Sequence, residues 1–103
     1  MPYVGRDFDA LSPVETKDLT LDFKPWLGPC DTISSATWAI ALEDGTDATP
    51  TSRLSGSTLV SCGSKVTRRA TTLQDGAKYR MTALATLNDG EVLELYSFIR
   101  GKA

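Results

Sequence analysis

The side chains in this 103-residue sequence that could do chemistry are two cysteines, Cys30 and Cys62, and a scatter of carboxylates, because there is no histidine. Without imidazole the commonest general base, proton shuttle and metal ligand are all missing, and a Ser-His-Asp relay is excluded. Two thiolates alone do not complete a tetrahedral zinc site, so no structural metal is expected. The acidic pairs Glu43-Asp44 and Glu91/Glu94 fall in turns or on outward strand positions and read as solvated surface. Asp31, Asp44 and Asp47 match no calcium-loop spacing. Two Gly/Ser segments, Leu54-Ser55-Gly56-Ser57 and Ser61-Cys62-Gly63-Ser64-Lys65, lack the spacing and the following helix of a phosphate cradle, and read as strand turns. The sequence predicts no catalytic residue, no cofactor and no metal, and therefore no enzyme.

The cysteines each follow a turn or a strand end. On two facing elements their Cα atoms would fall within the roughly 4.4–6.8 Å that a disulfide needs. A bridge between them would close a loop of about 33 residues, worth roughly 3–4 kcal/mol in the chain-entropy model. A chain made in the cytoplasm keeps its thiols reduced, however. The expected state of Cys30 and Cys62 is two reduced, part-buried thiols, with a bridge formed after lysis as the alternative.

Composition bounds the class. The length suits one domain, burying somewhat over 60% of its unfolded surface, so a core can form without a metal. Charged residues make up 23%, the net charge is −2, and the longest basic run is Arg68-Arg69. No electrostatic footprint for nucleic acid is present. No apolar run approaches the roughly 18 residues that span a bilayer, and Met1 to Asp7 lacks the apolar centre of a signal peptide. The chain is expected to be made and kept in the cytoplasm, or released by lysis, with neither nucleic acid nor membrane as a partner.

The elements that would position these residues are strands. In residues 1–16, Pro2, Gly5 and Pro13 interrupt scattered apolar residues with no sustained period, which suits an extended arm. Tyr3, Phe8 and Leu11 of this arm need cover. A partner subunit would supply it, and an arm that folds back onto the chain's own body or is simply disordered is an equal alternative. The body, residues 17–103, begins with Leu19, Leu21 and Phe23 alternating with polar residues, in a strand that Pro25 ends. From Asp31 to Leu42 the residues Ala36, Trp38, Ile40 and Leu42 share one face. The polar stretch Glu43 to Pro50 reads as a loop, and shorter strands follow at Ser57–Cys62 and Lys65–Thr72. Strands Tyr79–Leu87 and Glu91–Ile99 flank Asn88-Asp89-Gly90 and form a hairpin.

Ahead of that hairpin, Leu73-Gln74-Asp75-Gly76-Ala77-Lys78-Tyr79 reads as a turn delivering a tyrosine into a buried strand. In sandwiches of the immunoglobulin type, such a tyrosine sends its hydroxyl back to the backbone a few residues upstream. An ordinary Asp-Gly turn before an amphipathic strand is the alternative. Six or seven short strands and almost no helical period predict an all-β, Greek-key β-sandwich of immunoglobulin or fibronectin III type. Its expected core is Trp38, Tyr79, Phe23, Ile40 and Met81.

The segments Lys17-Asp18-Leu19-Thr20-Leu21-Asp22-Phe23-Lys24-Pro25-Trp26-Leu27 and Asp31-Thr32-Ile33-Ser34-Ser35-Ala36-Thr37-Trp38 together resemble a family of small virion proteins of tailed bacteriophages, the fibre-to-tail adaptors. Gly76, Tyr79, Arg80 and Thr82 match a further element of that family, and Asp89-Gly90 with the strand through Phe98 matches its closing hairpin. The resemblance covers about residues 17–99, and Asp31 to Trp38 is its most specific part. The cysteines lie outside the family pattern, and the N-terminal arm is variable. The resemblance implies a structural role at the neck, tail or fibre attachment point, in a homo-oligomeric ring whose partners are neck, tail, fibre or capsid subunits. Two other functions are compatible with such a fold: an Ig-like capsid decoration protein, and a fibronectin-type carbohydrate- or protein-binding module. The absent signal peptide and the lack of exposed aromatic clusters beyond Trp26 weigh against the last of these.

Overall fold

The computed structural model describes Tyr3, residues 8–61 and residues 63–102. Among the described residues six strands form two three-stranded antiparallel sheets. One sheet has β1 (Thr16–Asp22), β4 (Lys65–Thr71) and β3 (Leu54–Ser61) in that order. The other has β2 (Ile33–Asp44), β5 (Lys78–Leu87) and β6 (Val92–Arg100). In immunoglobulin terms these are the B–E–D and C–F–G sheets of an all-β sandwich.

The inner layer of the second sheet is built from register. Across β2, β5 and β6, Trp38 lies beside Ala83 and Leu95, Ile40 beside Met81 and Ser97, and Leu42 beside Tyr79 and Ile99. A large side chain next to alanine leaves room for the indole, and its Nε1–H donates to the Met81 sulfur at 3.4 Å. Trp38, Ile40, Met81 and Tyr79 are all buried, and Phe23 meets them from the end of β1. A register shift between Ile33 and Ser35 lets Ile33 face the core with the even-numbered residues that follow, and the Ser34 hydroxyl donates to the Thr86 carbonyl at 3.0 Å. The alternation from Ser35 onward gives no hint of this change of parity. A second shift, between Leu42 and Asp44, carries β2 into the segment whose polarity reads as loop.

In the first sheet β1 sends Leu19 and Leu21 inward and pairs Thr16 with Thr71 and Thr20 with Thr67 through their hydroxyls, at 2.8 and 2.9 Å. β3 is irregular. Its pairing with β4 breaks between Ser55 and Leu59, and Arg68 fills the gap by donating to the Ser55 carbonyl and the Thr58 hydroxyl, both at 3.1 Å. Arg69 pairs with Asp18. Both members of the longest basic run are thus engaged within the chain.

Leu11, expected in a separate arm, is 3% exposed and belongs to the core. The segment before β1 runs parallel to β6, where the Phe8 amide donates to the Phe98 carbonyl and the Leu11 amide to the Arg100 carbonyl. Burying an apolar side chain next to an available strand edge outweighs leaving both in water.

Candidate functional site

Three features organise the surface, and the first is the corner that Tyr79 closes. Its hydroxyl accepts from the Gln74 amide at 3.0 Å, the tyrosine-corner geometry, and donates to Asp47 Oδ2 at 2.6 Å. The same carboxylate receives Arg53 Nε at 2.9 Å and Nη2 at 3.1 Å, and the Thr49 amide at 2.9 Å. Its side chain is 2% exposed. The polar loop after β2 reaches this depth because Gly45 has φ +88°, and a Cβ there would lie 2.8 Å from the Gly76 carbonyl. Thr72, a β-branched residue at φ +49°, is held in the left-handed region while its hydroxyl accepts from Arg53 Nη1 at 3.3 Å.

The charges in this corner are fixed. Arg53 holds the Asp47 carboxyl well below the usual carboxylate range against the upward push of burial, with the Tyr79 hydroxyl and the Thr49 amide helping. Burial first, and the hydrogen bond to Asp47 next, push the Tyr79 phenol upward. A neutral donor facing an ionised acceptor with its own cation cannot serve as a proton-transfer pair at neutral pH. It is a brace, joining the β2–β3 loop to the start of β5.

The second feature is the arm on β6. The Tyr3 ring lies 5.5 Å from Tyr96 and 5.6 Å from Phe98 and is 39% exposed. Phe8 lies 6.5 Å from Trp38. Of the three residues expected to reach a partner, Leu11 has no surface left to offer, because the chain's own core has taken it.

The third is the free edge of β1. The Phe23 amide donates to the Ser64 carbonyl at 2.8 Å, so odd-numbered residues of β1 turn their amides toward β4. The even-numbered Asp18, Thr20 and Asp22 turn theirs outward. Thr16/Thr71 and Thr20/Thr67 are then the closer, non-hydrogen-bonded pairs, as their hydroxyl contacts require. Between this edge and the arm runs a groove of about 490 Å³, with Phe8 and Asp9 on the arm side and Trp26 lining it beyond Asp22.

A family model described as podophage GP4 fiber-tail adaptor protein gp77 matches residues 12–100. The chain belongs to this family. The match takes in all six strands and the Tyr79 corner and leaves Tyr3, Phe8 and Leu11 outside. The comparisons with curated proteins and with solved structures gave no match. As a member of a phage tail adaptor family the protein is a structural virion component, made in the host cytoplasm.

The other polar candidates of the adaptor are dispersed. Asp31 Oδ2 accepts the Gly28 amide, Asp44 Oδ1 the Gly45 amide, and Glu43 the Arg80 guanidinium, so none converges with Asp47. Cys30 is exposed, not part-buried as expected, and its carbonyl accepts from the Asn88 side chain at 3.2 Å. Cys62 lies outside the described residues. The residue that sequence reasoning missed is Asp47. Its signal is an aspartate six residues before an arginine, in a loop otherwise made of turn formers, and that pattern carries no mark of burial.

Proposed function

We propose that this adaptor works by docking alone, joining fibres to the tail at the neck or fibre attachment point, in several copies arranged as a symmetric ring. The family match over residues 12–100 carries the reading. The architecture supports it: a braced sandwich with an uncovered strand edge suits attachment by backbone pairing, and repeated copies of one interface close naturally into a cyclic assembly. No catalysis is needed, since the buried carboxylate and phenol are both engaged in holding the corner.

The test is a phage lacking the gene. Its particles are expected to have tails without fibres and to regain fibres when the protein is supplied in trans, and reconstruction of the restored attachment point is expected to show a closed ring of this chain. Particles that carry a full set of fibres without it overturn the reading.

A further inference from the structure

The sandwich has four sheet edges, and among the described residues they differ in how regular and how open they are. The arm covers β6. β3 breaks register between Ser55 and Leu59 and passes through Gly56 at φ +68°, and β2 shifts register near both ends. Of the three edges that the arm leaves uncovered, β1 alone keeps unbroken register over its whole length, from Thr16 to Asp22. A regular, unbulged, uncovered edge is a template for a strand from another chain. In the seven-strand immunoglobulin topology this is where strand A lies. Here the N-terminal segment pairs with β6 instead, and no strand of the described residues takes that position.

We propose that the outer edge of β1 takes an extended segment of another virion protein, alternately apolar and basic, as a fourth strand of the β1–β4–β3 sheet. The proposal rests on the adaptor reading, since the structures being joined supply the strand. The outward backbone groups of Asp18, Thr20 and Asp22 would provide the pairing. Alternate side chains of the added strand would enter the groove against Phe8, and Trp26, 42% exposed, would cover its end. The others would lie on the solvent face beside Asp18, Thr20 and Asp22. Asp9, Asp18 and Asp22 line the groove against one lysine, Lys17; across the ladder Asp18 is paired with Arg69 and Asp22 lies opposite Lys65 without an ion pair, while Asp9 has no ion-pair partner among the described residues. That balance selects basic side chains. A second copy of β1 fits poorly, because antiparallel pairing centred on Thr20 sets Asp18 opposite Asp22 twice, and directly opposed like charges destabilise a sheet.

The test supplies the full chain in trans to phage lacking the gene. Thr20→Pro removes an outward amide, at an edge where proline is tolerated. Thr20→Val keeps the amide and loses only the hydroxyl contact with Thr67. Thr20→Val is expected in particles at the wild-type level and Thr20→Pro at about one tenth of it or less, with circular dichroism showing both folded. A folded Thr20→Pro incorporated as wild type overturns the proposal. A benzophenone side chain at position 17 provides a second measurement, independent of whether the proline variant folds. It is expected to capture a segment of another virion protein with alternating apolar and basic residues. Capture of a second copy of this chain, or of nothing, overturns the proposal. Absence of the wild-type chain from the tail refutes the adaptor reading instead, so the two failures are distinguishable.

Discussion

Replacing Asp47 by alanine removes four hydrogen bonds at once, two from Arg53 and one each from Tyr79 and Thr49. Losing one partner of a buried ion pair costs about 3–5 kcal/mol when the other charge is stranded. Arg53 is not fully stranded: its side chain is 13% exposed and keeps contacts with the Thr72 and Thr49 hydroxyls. The lower end of that range applies, about 3 kcal/mol with the loss of the Tyr79 acceptor included. That is a large part of the 5–15 kcal/mol that stabilises a typical domain. Urea unfolding near pH 7 with an unchanged slope is the assay, and a loss below about 1 kcal/mol would mean that solvent already screens the pair. The pH dependence gives an independent check. Because Arg53 lowers the folded-state carboxyl pKa, its stabilisation is complete above the unfolded value of about 4 and is lost as pH falls from there through the folded value. The gap between wild type and Asp47→Ala should therefore narrow in acid. A gap that stays constant from about pH 6 to about pH 2 would show that ionisation of Asp47 contributes nothing.

Tyr79→Phe removes a donor to a carboxylate and the acceptor for the Gln74 amide. It should cost roughly 1.5–3 kcal/mol, and a double-mutant cycle with Asp47→Ala should show coupling of about 1 kcal/mol, zero coupling being the refuting result. Trp38→Ala should cost about 3–5 kcal/mol in the same unfolding assay, and under about 1 kcal/mol would show that the indole is not a core anchor. Leu11→Ala should cost about 2–3 kcal/mol in the isolated monomer, since that leucine packs in its own chain; no change would place its energetic role in a partner. Particles should keep the adaptor through about 0.5 M salt, because attachment by backbone pairing and apolar burial is weakly screened, and release by salt alone would show that charge holds it.

What was legible in the sequence followed from local rules. Period-two alternation placed Leu19, Leu21 and Phe23 on one face, and Trp38 and Ile40 on one face, because burial on one side of a strand enforces that spacing. Gly76 three residues before Tyr79, at the mouth of an alternating strand, marked the corner for the same reason. The rest depends on contacts between distant segments. Nothing in Ser34 or Glu43 announces a register shift, since a bulge is set by how both ends of β2 must meet β5. Asp47 sits in a stretch as polar as any exposed loop, and its burial follows from Arg53 and Tyr79 arriving from elsewhere. Leu11 has no periodic neighbours, and its burial depends on the edge that β6 offers, which no local pattern announces.

These distant contacts also give the sandwich two unlike ends. At one end the Gly76 amide donates to the Gly101 carbonyl, the Gly101 amide to the Ala77 carbonyl, and the Lys102 amide to the Leu11 carbonyl. A Cβ on Gly101 would fall on the Gln74 carbonyl, so the corner, the end of β6 and the arm meet there at backbone contact. The Asp47–Arg53 pair lies at the same end, against Tyr79 and Thr72. The backbone groups that meet at this end are taken up by the chain's own contacts. The opposite end, where β1 finishes at Asp22 beside the 3-10 turn Lys24–Trp26, leaves Trp26 exposed, and the unpaired β1 edge runs toward it from Thr16. Rigidity at one end lowers the entropy lost when a strand docks along β1, because the sheet receiving it is already fixed by the corner. Loosening that corner, as Asp47→Ala would, should therefore weaken incorporation into particles even though Asp47 does not line the β1 groove. Incorporation at the wild-type level by an Asp47→Ala protein that remains folded would separate the two ends and refute the link.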